Sequence, residues 1–337
     1  ASLSIFINSY DNKYTNKNMN KVANKIIEIR KKIEEALPQG RVIPRHSDKG
    51  HFYEVIDGQF VTPPIYSSVT TKLAQLKDES LMNYKMNCVI RYVFSNWQNF
   101  TEINIMEHIG KAESVPQQNL EDAGGIGTEI HNHREKIFKE WISTGIKPID
   151  FVSYIPEVQR DVRAISAIRA LEKFVNDYDY TPIACELFVY DHKMRVAGTL
   201  DDLGMMKYFI RKGNKDCEHE MICNEKTDKY TCLKCDMQYK YEFTLLDLKS
   251  SNQLKDHYFY QVSMYWDMFR KLVGITPERC LILQVSKEKG TYKIEDLKRP
   301  AKLAQYSKHM IKVDEGTQFI KKLRKDNQRN VAPLLKL

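Results

Sequence analysis

Four apolar runs between residues 183 and 286 fix the order in which this chain has to build a sheet. "IACELFVY" alternates apolar and polar residues, the period of a half-buried strand. A turn at Asp191-His192-Lys193 leads into a second strand, "RVAGTLDDLGMM". A polar, cysteine-bearing stretch over 211–240 interrupts, and a third strand, "YEFTLLDLKSS", follows. The run "HYFYQVSMYWDMFRKLVG" has helical spacing, "RCLILQVS" is a fourth strand, and "GTYKIEDLK" suits a fifth. A three-strand meander, then a helix, then further strands is the order of an α/β fold with a mixed central sheet flanked by helices. It is not the order of a Rossmann sheet, and no glycine-rich phosphate loop is present.

Upstream, Val22, Ile26, Ile29, Ile33 and Leu37 recur at helical spacing, and Pro38 and Gly40 stop that helix. "HFYEVIDGQFVTPP" reads as a hairpin turning at Asp57-Gly58, and "SSVTTKLAQL" as a helix capped by Ser or Thr. A helix is expected from about residue 83 to 97. In "EDAGGIGTEIHNHREKIFKEWISTG", glycines precede a helix with Ile130, Ile137, Phe138 and Trp141 on one side, ending near Gly145. Another helix is expected over 157–176. The resulting division is a helical region with a hairpin (1–110), a core (111–300) carrying an insert (211–240), and a basic helical segment (301–337).

The 337 residues carry a net charge of +8, whose sign favours a polyanionic partner. No apolar run approaches the roughly 18 residues that cross a bilayer. No secretory signal is read at the N-terminus, so an intracellular compartment is expected. Four of the seven cysteines lie between residues 217 and 235, a clustering that reads as metal binding rather than disulfides. Cys88, Cys185 and Cys280 sit in apolar contexts and read as buried thiols.

"CEHEMICNEKTDKYTCLKC" reads as a small structural zinc site. Cys232 and Cys235 form a Cys-x-x-Cys knuckle. The other pair comes from Cys217 with either His219 or Cys223, the Cys-x-His spacing favouring His219. So polar a segment cannot order itself by burying apolar surface, and a bound zinc supplies that free energy. Since the insert joins two strands that carry candidate site residues, it is expected near the substrate entrance.

In "TLLDLKSS", Asp247 and Lys249 project from one face of a strand and Leu248 from the other. An adjacent antiparallel strand brings Asp201 beside Asp247, and two carboxylates that close call for a cation. His131 and Glu135 lie one turn apart on a helix, and Glu186 lies in the first strand. Oxygen ligands with one imidazole suit Mg²⁺ or Mn²⁺. A lysine beside such an ion fits phosphodiester hydrolysis.

Taken in order, "SSVTTKLAQL", "GTEIHNHRE", "AGTLD", "LLDLKSS" and "QVSMY" resemble the RecB-like branch of the PD-(D/E)XK nuclease superfamily, which includes phage exonucleases and the mitochondrial genome maintenance exonuclease. The likeness spans about residues 52–265. It implies a restriction-endonuclease-like core with Mg²⁺ or Mn²⁺ on His131, Asp201 and Asp247, and Lys249 as the catalytic lysine. Gln261 and Tyr265 match the helix lining the DNA groove, and Glu135 and Glu186 match acidic positions around the site. Several relatives hold an iron–sulfur cluster on cysteines flanking the core. Here the cysteines lie inside the core, which argues against that cluster. The implied activity is that of a DNA exonuclease acting on single strands or ends in replication, recombination or repair, phage-encoded or nucleoid-associated. The alternatives are a non-catalytic nucleic-acid-binding module of the same fold and a zinc-scaffolded interaction subunit. Lys31, Lys32, Lys321, Lys322, Arg324 and Lys325 are candidates for a phosphate track.

Overall fold

The computed structural model describes residues 19–36, 41–47, 50–56, 64–74, 79–156, 161–214, 216–224 and 226–331. The helices are α1 (Met19–Ala36), α2 (Val69–Ala74), α3 (Glu79–Asn96), α4 (Ile105–Thr144), α5 (Val162–Asp177), α6 (Asp256–Val273) and α7 (Pro300–Val331). The strands are β1 (Arg41–Ser47), β2 (Gly50–Ile56), β3 (Ile65–Ser68), β4 (Thr181–Asp191), β5 (Val196–Arg211), β6 (Met221–Asn224), β7 (Lys229–Cys232), β8 (Gln238–Lys249), β9 (Arg279–Val285) and β10 (Tyr292–Asp296).

The ten strands form one mixed sheet. β4, β5 and β8 are the expected antiparallel meander, and β9 pairs parallel to β8 after the α6 crossover. β10 closes that side antiparallel to β9. On the other flank β3 pairs parallel to β5, and β2 and β1 follow antiparallel. The meander-and-crossover half is buried on both faces, which explains its near-continuous apolar runs. Along β8, Phe243 and Leu245 pack with Ile26, Val69 and Phe269 beneath α1, α2 and α6. Leu246 and Leu248 pack with Ile130, Phe138, Leu171 and Phe174 beneath α4 and α5.

Local signals place several boundaries. The Ser68 hydroxyl accepts the Thr71 N–H at 2.9 Å and caps α2. Asp161 accepts the Arg163 N–H at 2.8 Å and caps α5. Gly145 ends α4 in the left-handed region, φ 71°, which costs glycine nothing.

Other expectations are corrected. The glycines at 124, 125 and 127 do not precede a helix. They lie inside α4, a 40-residue helix that also contains Pro116. The boundary expected at residue 110 therefore falls within a helix, and β1–β3 share the sheet of the core strands. The strand β2 pairs with β1 and β3, whereas the Asp57-Gly58 turn lies outside the described residues, as do Pro38 and Gly40. α5 begins at Val162, with 157–160 also outside them. The insert leaves β5 ten residues beyond Asp201. At about 3.3 Å per residue that is roughly 30 Å along the strand, so the insert stands at the far end of the sheet and not at the entrance to the carboxylates.

Candidate active site

β5 and β8 separate just beyond the Asp202–Leu246 pair. In place of the next ladder bond, Asp201 Oδ2 accepts the Leu248 N–H at 2.7 Å. The pairs Cys185–Asp202 and Leu187–Leu200 bracket Glu186 on β4, which puts it across from Asp201. Glu186 has φ 51°, a backbone conformation that costs a non-glycine residue about 1–3 kcal/mol and that clusters at functional sites. From α4, His131 Nδ1 comes within 3.7 Å of Asp201 Oδ2. Ligand atoms of His131, Glu186 and Asp201 all lie within 4.8 Å of one another. Glu186, expected around the site, thus belongs to the converging group itself.

Asp247 sits beside this group, 1% exposed, with its Oδ1 lacking a hydrogen-bond partner. Lys249 Nζ is 2.6 Å from Asp247 Oδ2 and 5.1 Å from the centre of the Tyr258 ring on α6. Asp247 and Lys249 are therefore a largely buried pair beside the carboxylates and not a surface ion pair, and Leu248 packs into the α4–α5 layer.

The electrostatics push the two aspartates apart. Burial drives Asp247 up to about 7, with Asp201 adding and Lys249 and Arg134 opposing. Burial also raises Asp201, but His131, Arg134, Lys249 and the Leu248 N–H outweigh it and hold it below the ordinary value. Burial, aided by Arg134 and Lys249 and opposed by Asp201, lowers the His131 pKa, which favours the neutral imidazole that can ligate. A carboxylate shut in with an orphaned oxygen beside an ionised one is the environment that accepts a divalent cation. One imidazole with carboxylate oxygens matches Mg²⁺ or Mn²⁺.

Arg134 was not anticipated. It is 0% exposed. Its guanidinium donates to Asp202 Oδ2 at 2.7 Å and to Glu186, and stands 3.8 Å from Asp201. Burial pushes Asp202 up to about 7 even against that arginine. The sequence carried a signal for it, because Arg134 interrupts the apolar stripe of Ile130, Ile137, Phe138 and Trp141. A charge there has to be paired inside the core.

Glu135, expected around the site, pairs with Lys139 one turn on, and its charge helps raise the Glu186 pKa. Two other expected roles change. Tyr265 is 4% exposed and offers no ring to DNA. It fills the space above Gly198, where a Cβ would come 2.6 Å from the ring, and its hydroxyl accepts from half-buried Gln261 at 3.1 Å. Gly198 in "AGTLD" is thus required by close approach. In the phosphate track, Lys31 and Lys32 pair with Glu35 and Glu28 on the solvent face of α1, and Lys322 is exposed. The side chains of Lys321, Arg324 and Lys325 lie outside the described residues.

At the far end of β5 and β8, Cys217, His219, Cys232 and Cys235 bring their ligand atoms together. The Cys217–Cys232 sulfurs are 3.9 Å apart, and Cys235 Sγ is 3.4 Å from His219 Nδ1. A tetrahedral ion with Zn–S of about 2.3 Å and Zn–N of about 2.0 Å needs edges of roughly 3.8 and 3.5 Å. The Lys234 N–H donates to Cys232 Sγ at 3.4 Å. Although burial opposes it, hydrogen bonds from His219 and from backbone N–H groups bring the Cys232 thiol down to about 6. Cys223 is not in the group. It faces Tyr230 across the β6–β7 hairpin. Of the remaining cysteines, Cys280 is buried and Cys88 and Cys185 are half-buried. No helix among the described residues is long and apolar enough to cross a membrane.

A scan against models of known protein families and a search of the curated proteins both found no match.

Proposed function

We propose that this chain is a divalent-metal-dependent nuclease of the RecB-like PD-(D/E)XK type that hydrolyses DNA phosphodiester bonds, with a preference for single strands or ends. The convergence of His131, Glu186 and Asp201, with Asp247 and Lys249 on the adjoining strand, carries this reading. The meander, helical crossover and parallel fourth strand support the restriction-endonuclease-like assignment of the core.

His131, Glu186, Asp201 and Asp247 would hold Mg²⁺ or Mn²⁺. When bound, such an ion polarises a phosphoryl oxygen and lowers the pKa of a coordinated water. Lys249 is kept charged by Asp247 and Asp201 against the pull of burial, and Tyr258 fixes its ammonium group. From there it orients the attacking water or stabilises charge building on the phosphate. Arg134 is a positioning residue that holds Glu186 and Asp202 in place.

End-labelled single-stranded DNA incubated with the protein is expected to be shortened in Mn²⁺ or Mg²⁺ and left intact in EDTA. Asp201→Asn should reduce that cleavage by at least about 10²-fold. Labels on the 5′ and 3′ ends read the polarity. Binding without cleavage in every divalent ion would instead favour the non-catalytic module.

The insert serves in this reading as a structural Zn²⁺ site on Cys217, His219, Cys232 and Cys235, remote from the chemistry. Purified protein should carry about one zinc per chain by elemental analysis, as a closed four-ligand site does. Cys235→Ser should lose the metal and open residues 211–240 to proteases, whereas Cys223→Ser keeps it. Equal zinc content in the two variants would refute this ligand set.

A further inference from the structure

Twelve of the twenty-four exposed large apolar side chains among the described residues lie between residues 81 and 109. These residues form α3, a short connection and the start of α4. Inside this helical pair, Tyr92 meets His108 through a 3.1 Å hydrogen bond, Phe100 stacks on His108 at 4.5 Å, and Cys88 faces Asn119. A different side of α3 carries Met82, Met86, Ile90 and Val93, and Trp97 follows directly past its end, exposed by 68, 53, 44, 37 and 62%. Their spacings of four, four, three and four residues put them on one helical stripe, as in a coiled-coil seam. Ile105, Met106 and Ile109 continue the apolar surface onto α4 at 43, 74 and 43%.

We infer that this face is where a second copy of the chain docks, two α3–α4 hairpins packing as a four-helix bundle about a twofold axis. A large side chain presents roughly 150–250 Å². At the exposures of the eight side chains named on this face, 37 to 74%, the patch offers on the order of 800 Å². A stable pair needs about 800 Å² from each partner, and patches beyond a few hundred Å² are unusual on a monomer. Charge excludes nucleic acid from this face. Residues 81–113 hold three basic side chains (Lys85, Arg91, Lys111) and three acidic ones (Glu102, Glu107, Glu113), so the hairpin is neutral within a chain of net charge +8. A twofold axis crossing the middle of α3 sets this stripe against its own copy.

Sedimentation of the full chain should give twice the monomer mass of 39.6 kDa, falling to one copy only on strong dilution. Met86→Glu should sediment as a single copy at every concentration, with the circular dichroism spectrum unchanged. Ile90→Cys, at the middle of the stripe where it meets its own copy, should cross-link into a covalent dimer under mild oxidation, which reads the contact without a disruptive substitution. A wild-type chain that stays monomeric throughout, or a dimer that Met86→Glu leaves intact and Ile90→Cys fails to cross-link, overturns the inference. So does a monomer whose single-stranded DNA binding is lost on Met86→Glu, which would make nucleic acid the occupant.

Discussion

Replacing Arg134 with methionine is expected to destabilise the fold by about 3–5 kcal/mol, the cost of removing one partner from a buried ion pair. Adding Asp202→Asn to the same chain should recover most of that loss. Arg134 and Asp202 are both 0% exposed, and the arginine also reaches Glu186. Methionine matches the aliphatic stem but leaves Asp202 with no counter-charge. The penalty is the desolvation of an orphaned carboxylate, and it disappears once that carboxylate becomes a neutral amide. Urea unfolding followed by circular dichroism reads the effect as a shift of the midpoint at constant slope. A single mutant within about 1 kcal/mol of the native chain would mean that this pair contributes little, which is the range of exposed pairs.

Sequence periodicity reached the parts of the fold that local physics decides. A period of two residues marked β4, β5 and β8, and a period of 3.6 marked α1 and α6. Asp247 and Lys249 were legible as a pair because residues i and i+2 of a strand share a face whatever the partner strand does. What escaped depends on register and length. Glu186 joins the ligand group because β4 places it across from Asp201 and because its backbone adopts φ 51°, and neither is written in its own neighbourhood. β5 runs to Arg211 and not to Met206, and those extra residues carry the insert away from the site. The glycines at 124, 125 and 127 read as a helix start, yet α4 continues through them. Glycine lowers helix propensity by only about 1 kcal/mol per residue, which a 40-residue helix with tertiary contacts overrides.

Exchanging Lys249 for methionine should lower the rate of DNA cleavage by about 10³-fold, within the range lost when a proton-transfer or charge-stabilising group is removed. Manganese binding, followed by calorimetry, should persist. Lys249 is not among the converging ligand atoms, and the cation itself provides the counter-charge that Asp247 loses. Lys249→Arg then separates two roles for the residue. If the ammonium acts only as a fixed positive charge, arginine restores part of the rate. If it passes a proton to or from the attacking water, arginine stays near the methionine level, because a guanidinium does not give up its proton at neutral pH. A methionine variant that cuts within about tenfold of the native chain would remove Lys249 from the chemistry and leave the carboxylates to account for hydrolysis without it.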